Sequence, residues 1–129
     1  MTALLSANFP KRDIHLVIDD ASHFYEETRN ALDLVFPYMA AGSAYVIEDW
    51  GWAHWASRVW TNPYFDNKLP LTNLIFELVS LCATEPEIVS SVDISPSMTV
   101  VHRGKKSVRD GWSIRDCCSW REGILQQIP

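Results

Sequence analysis

The sequence predicts an α/β domain built around a parallel pair of strands. Two short apolar runs, IHLVI at 14–18 and SAYVI at 43–47, each end abruptly in paired acids, and a helical apolar period lies between them. A second helical period and two strand-like segments follow. The composition agrees: of 129 residues, 47% are apolar and 21% charged, which suits a packed globule and excludes a disordered chain. That length predicts one domain with a substantial core.

Residues 1–12 lack a sustained period and contain Pro10, so they read as a lead-in segment. The run at 14–18 is nearly continuous and rich in β-branched residues, the pattern of a strand buried on both faces in a parallel sheet. Ser22 is placed to cap the next helix, with Glu26 and Glu27 in a first turn where the helix dipole favours acids. Tyr25, Thr28, Leu32, Val35 and Phe36 recur at helical spacing until Pro37 ends the pattern. Gly42 reads as a turn residue, and the strand at 43–47 completes a βαβ unit, which crosses over right-handed. An irregular segment at 49–69 carries Trp50, Trp52, Trp55, Trp60, Tyr64 and Phe65. Leu71, Leu74, Ile75, Leu78, Leu81 and Cys82 mark a second amphipathic helix that stops before Pro86. Segments 89–94 and 98–103 are joined by Ser95-Pro96-Ser97, a connection short enough for an antiparallel hairpin. From 105 to 129 the chain turns polar and reads as a tail over the surface or partly disordered, leaving 13–104 as the α/β unit.

The chemistry is concentrated at the strand ends. Ligands bind outside the carboxyl ends of strands in open α/β sheets. Neighbouring parallel strands there lie about 5 Å apart. Asp19-Asp20 and Glu48-Asp49 would thus bring up to four carboxylates to one edge, where a cation or protons must relieve the repulsion. Hard oxygen ligands suit Mg²⁺, Ca²⁺ or Mn²⁺ rather than zinc. His23, three residues after Asp20, falls at the strand-to-helix turn, where an imidazole can act as general base. The bland alternative is that these acids only cap helices or stay solvated. The aromatic segment has two readings: Trp50, Trp52, His54 and Trp55 form a substrate-closing loop, or the rings fill a satellite core.

LVIDDASH at 16–23 resembles the DLVIDDGSH signature of a bacterial class I methyltransferase family. Its members are the S-adenosylmethionine-dependent sugar O-methyltransferases of macrolide biosynthesis, with cephalosporin hydroxylase-like proteins nearby. VFPYM at 35–39, Gly42 and YVIEDW at 45–50 are similar to the family's LFPxLxPGGxYVIEDW, and LTNLIFEL at 71–78 continues the likeness over about residues 13–104. Two small departures are Ala21 for a Gly and Ser43 for the second Gly. The resemblance implies Asp20, Glu48 and Asp49 as Mg²⁺ ligands and His23 as the base for a sugar hydroxyl. It also implies strands equivalent to 4, 5, 7 and 6 of a seven-stranded Rossmann-like methyltransferase sheet.

The cofactor half has no counterpart. No G-x-G occurs, the glycines standing singly at 42, 51, 104, 111 and 123, and the acid that holds the cofactor ribose is missing. The 13 residues before Ile14 cannot supply three strands. The expectation is therefore a truncated methyltransferase-like domain, retaining the Mg²⁺ carboxylates and base and inactive alone. S-adenosylmethionine would bind only if another chain supplied the missing half. The alternatives are an O-methyltransferase completed in that way, or a non-catalytic ligand-binding module using the Trp-rich loop. Strand 14–18 becomes a sheet edge, and pairing of that edge in a homodimer is the expected way to cover it. A sugar or natural product is the expected small-molecule partner. The net charge of −5 argues against nucleic acid, and no apolar run approaches membrane-spanning length. Three cysteines (Cys82, Cys117, Cys118) suggest a reducing cytoplasm, with Cys117 and Cys118 as unreactive thiols.

Overall fold

The acid-terminated runs pair in parallel, as a βαβ unit requires. The computed structural model describes residues 2–120, 123 and 124, with the side chains at 2, 59, 60, 119, 120 and 124 excepted. In chain order the main elements are α1 (Thr2–Asn8), β1 (Ile14–Asp19), α2 (Tyr25–Val35), β2 (Met39–Glu48), α3 (Thr72–Thr84), β3 (Val89–Ile94) and β4 (Met98–Arg103). Short 3₁₀ turns punctuate residues 52–65. A small antiparallel pair, β5 (Ser119–Trp120) and β6 (Gly123–Ile124), closes the described chain. The four-stranded sheet has the order β1-β2-β4-β3, with β1 and β2 parallel and the other pairs antiparallel. That is the 4-5-7-6 order of half a methyltransferase sheet.

Alternation along β2 shows which face is covered. Ser43, Tyr45 and Ile47 are buried, whereas Ala44, Val46 and Glu48 are only half-buried. With Thr99, Val101 and Arg103 of β4, the first set meets α2 and α3, whose Tyr25, Leu32, Leu74, Leu78 and Leu81 are fully buried. The opposite face carries no described helix. On β1, Leu16 and Ile18 are 57% and 58% exposed on that face, and Met98 of β4, opposite Glu48, is 42% exposed there. A strand patterned for burial on both faces is thus covered on one.

Three local expectations change. Ser22 does not cap α2; its Oγ accepts the amide N–H of Phe24, and the helix begins at Tyr25 without a side-chain cap. Gly42 does not turn the chain but lies within β2 at φ +76°, where the register with β1 slips between Ile14 and Leu16. Glycine takes this left-handed geometry without the Cβ clash that other residues meet.

The third change is that the segment after Gly104 contributes to the core. Val108, Ile114 and Cys118 are buried there, and Trp112 stacks on Phe36 at 4.9 Å between ring centroids. Asp33 of α2 anchors it by accepting the Ile114 amide at 3.0 Å and the Ser113 hydroxyl at 2.7 Å. Residues 121, 122 and 125–129 of the predicted tail lie outside the described residues. No described helix is long and apolar enough to cross a membrane.

Candidate functional site

The β1–β2 register aligns Asp19 with Ile47, so Asp20 and Glu48 follow at neighbouring strand ends. Period-two alternation then separates the acids. Asp19 has inward parity, is 8% exposed, and accepts the Tyr45 hydroxyl at 2.6 Å. Burial drives the Tyr45 phenol well above its ordinary range, and the Asp19 bond adds to the rise. Asp19 therefore leaves the cluster of four; Asp20, Glu48 and Asp49 remain near the crevice. Asp49 has φ +49°, its amide donating to the Ser97 carbonyl at 2.6 Å. His23 also has a left-handed backbone, φ +57°. Two non-glycine residues in that region at adjacent strand ends are a concentration of strain of the kind found at functional sites.

His23 is tied to both strand ends. Its Nδ1 lies 3.3 Å from the Glu48 carbonyl oxygen and its Nε2 lies 3.6 Å from Asp20 Oδ1. A carbonyl only accepts, so in the neutral ring Nδ1 carries the proton and Nε2 keeps its lone pair. The Asp20 side chain is 60% exposed. Among the described residues, no three His, Cys, Asp or Glu side chains stand close enough to enclose a metal ion. The three carboxylates fit a hard divalent cation in donor chemistry and strand placement, while their side chains are not drawn together around one point.

The aromatic loop packs mainly on itself and on the residue after His23. Trp52, Tyr64 and Phe65 surround Phe24 at ring-centroid distances of 5.7, 6.2 and 5.9 Å. Trp50 is held by its indole N–H on the Ser95 carbonyl at 2.7 Å, and Trp55 is 52% exposed. His54 contacts the Thr72 hydroxyl. A cleft of about 370 Å³ opens beside this cluster, lined by Phe24, His54, Phe65, Asp66, Lys68 and Pro70 among others. Lys68 spans it, bonded to Glu27 at 2.7 Å and lying over the Phe24 ring at 5.0 Å. Sequence reasoning missed Lys68 and Phe24, because neither belongs to a chemical motif.

The βαβ unit and the 4-5-7-6 sheet give the chain the fold of part of a Rossmann-like methyltransferase domain, with acids and a histidine at its strand ends. No protein-family model matches the chain. Over 51 residues, 40% of this chain and 12% of the relative, it is 43% identical to demethylmacrocin O-methyltransferase of Streptomyces fradiae. The fold resembles the MycE methyltransferase from the mycinamycin biosynthetic pathway, solved in complex with Mg, SAH and mycinamycin VI. That match has a TM-score of 0.59 at 20% identity and covers 86% of this chain and 32% of MycE. A second crystal form, with Mg and SAH, matches with a TM-score of 0.55 at 19% identity, covering 99% of this chain and 33% of that one. The chain thus spans about a third of the length of MycE.

Proposed function

We propose that these residues form the metal-and-base half of an S-adenosylmethionine-dependent O-methyltransferase site, inactive without a cofactor-binding half. The observation that carries this reading is the His23 imidazole, bonded through Nδ1 to the end of β2 while Nε2 faces Asp20 at the end of β1. Asp20, Glu48 and Asp49 would hold the divalent cation, Mg²⁺ in this reading. When bound, such an ion lowers the pKa of an acceptor hydroxyl. His23 Nε2 takes the hydroxyl proton, and the Asp20 carboxylate stabilises the resulting imidazolium. The absence of any G-x-G supports a division of labour in which S-adenosylmethionine is held by residues outside this sequence or by another chain.

The acceptor is a sugar or natural-product hydroxyl, in line with what the relatives' names describe. The exposed Leu16 and Ile18 support a homodimer formed through β1. The three free thiols are consistent with the cytoplasm, and burial pushes the Cys118 thiol up to about 12, which keeps it unreactive.

Calorimetric titration with S-adenosylmethionine, with and without Mg²⁺ and at a mass fixed by light scattering, tests the proposal. A dimer-sized particle giving Mg²⁺ heat and no cofactor heat is the expected result. Cofactor binding near micromolar would replace the half-site reading with an enzyme completed by its second copy. The cleft beside Phe24 favours one second reading, a small-ligand module in which the acids are only structural. In that case ligand binding survives Asp20→Asn and Glu48→Gln.

A further inference from the structure

Trp52 stands between the two halves of this arrangement. Its amide donates to the Asp49 carbonyl at 3.1 Å, tying it to the end of β2. Its indole N–H donates to the backbone carbonyl of His23, also at 3.1 Å, and its ring meets the imidazole edge-on with centroids 6.1 Å apart. The chain on both sides of His23 is fixed by other means. β1 precedes it in the sheet. After it, the Phe24 amide donates to Ser22 Oγ, the Tyr25 amide donates to the Leu69 carbonyl, and Phe24 bridges to Pro70. Between these anchors lies the His23 carbonyl, on a residue whose φ of +57° is unfavourable for any side chain with a Cβ.

We propose that Trp52 is a positioning residue for His23: its indole N–H clamps the carbonyl that keeps His23 left-handed, and so holds the imidazole on the Glu48 carbonyl. This rests on the reading of His23 as the base, and it gives Trp52 a role other than substrate contact. A rotation of the 23–24 peptide toward a relaxed geometry would carry the ring away from the end of β2. The donor is what matters, because a phenyl ring at 52 could still fill space against Phe24 and Phe65 but could not hold the carbonyl.

The test is a double-mutant cycle on the full chain, comparing W52F in the wild-type and H23G backgrounds by denaturant unfolding. Nuclear magnetic resonance follows the contact between His23 and Glu48, with His15 and His102 as internal controls. Glycine at position 23 adopts the left-handed geometry without strain, whereas packing on Phe24 and Phe65 is common to both backgrounds and cancels. W52F is expected to lower the folding equilibrium constant roughly tenfold in the H23G background, where the carbonyl loses its donor and glycine gains nothing by relaxing, and by clearly less in the wild-type background, where His23 recovers its strain once unclamped. The His23–Glu48 contact should disappear while the two control histidines keep their signals. Equal losses in both backgrounds, or a contact that survives W52F, overturn the proposal. If W52F does not fold, the His23–Glu48 contact is read in W52Y, which likewise lacks the indole N–H, and its loss or survival there decides in the same way. In a complemented methyl-transfer assay, His23→Ala with full activity would remove the base reading while leaving the cycle's result for Trp52 intact.

Discussion

Tyr45 and Asp19 form a buried hydroxyl–carboxylate bond on the covered side of the sheet, directly behind the acids that face the crevice. Tyr45→Phe removes the donor and leaves a carboxylate oxygen unsatisfied, so unfolding by denaturant should show a loss of about 1–3 kcal/mol. Glu77 is buried on α3 and accepts the Tyr25 hydroxyl at 2.6 Å through Oε1. Burial raises its carboxyl above the ordinary range, against the lowering by Tyr25 and by the Arg115 and Arg29 charges. A raised carboxyl binds its proton more tightly in the folded state, so this contribution is present at low pH. It is lost as pH rises through the window above the unfolded value of 4.5. Glu77→Gln keeps an acceptor for Tyr25 and removes the buried charge. Thermal melts of this variant should lie above wild type at pH 7–8 and lose that part of the decline with rising pH. The acid pairs were legible as a pair of motifs, and the resemblance named Asp20, Glu48 and Asp49, but spacing alone did not say which acid of a pair turns inward. For Asp19 the answer lay in strand parity, which sends it inward with Tyr45, whereas the left-handed Asp49 depends on the chain that follows β2.

The helices α2 and α3 and the four strands of the sheet were legible because each carries a regular apolar spacing, as in Leu74, Leu78 and Leu81 on α3 or Val101 on β4. By contrast, α1 lies in the stretch that read only as a lead-in. The segment beyond Gly104 was not legible, because Val108, Ile114 and Cys118 are scattered among charges at no repeating interval. What docks it is polar and specific. Asp33→Ala removes the acceptor for Ser113 and Ile114 and one partner of Arg29, which bonds the same carboxylate at 3.0 Å and keeps Glu26. A destabilisation of about 1–3 kcal/mol, with hydrogen exchange rising first at the Ile114 amide, is the expected outcome. Gly104 read as one more isolated glycine, yet a Cβ there would lie 2.2 Å from the Glu87 carbonyl oxygen. Gly104→Ala must push two backbones apart and should cost at least about 1–3 kcal/mol in an unfolding titration. No local pattern announces such an approach, since its other half lies upstream in the loop after α3.

At the scale of the whole molecule, the sheet is covered on one face and open at β1. The run at 14–18 announced this: a strand apolar on both sides cannot be at rest at an exposed edge. Ile18→Lys places a charge on the open face without touching the covered one. Light scattering should then show less self-association, with the unfolding midpoint of the dissociated chain little changed. The open face also bears on the site, because Glu48 shares its parity with Ala44 and Val46 and so lies on the side that no described helix covers. In the half-site reading, a chain that pairs with β1 would come to rest beside the carboxylates.

The half-site reading stands or falls with a divalent cation held by Asp20, Glu48 and Asp49 beside His23. Titration with Mn²⁺, read by paramagnetic broadening of backbone amide signals and repeated on Glu48→Gln, tests this directly. Broadening should centre on residues 20–23 and 48–49, be reversed by excess Mg²⁺, and weaken at least tenfold in Glu48→Gln. Broadening centred elsewhere, or unchanged in the variant, would refute cation binding there and leave these acids as a solvated strand end.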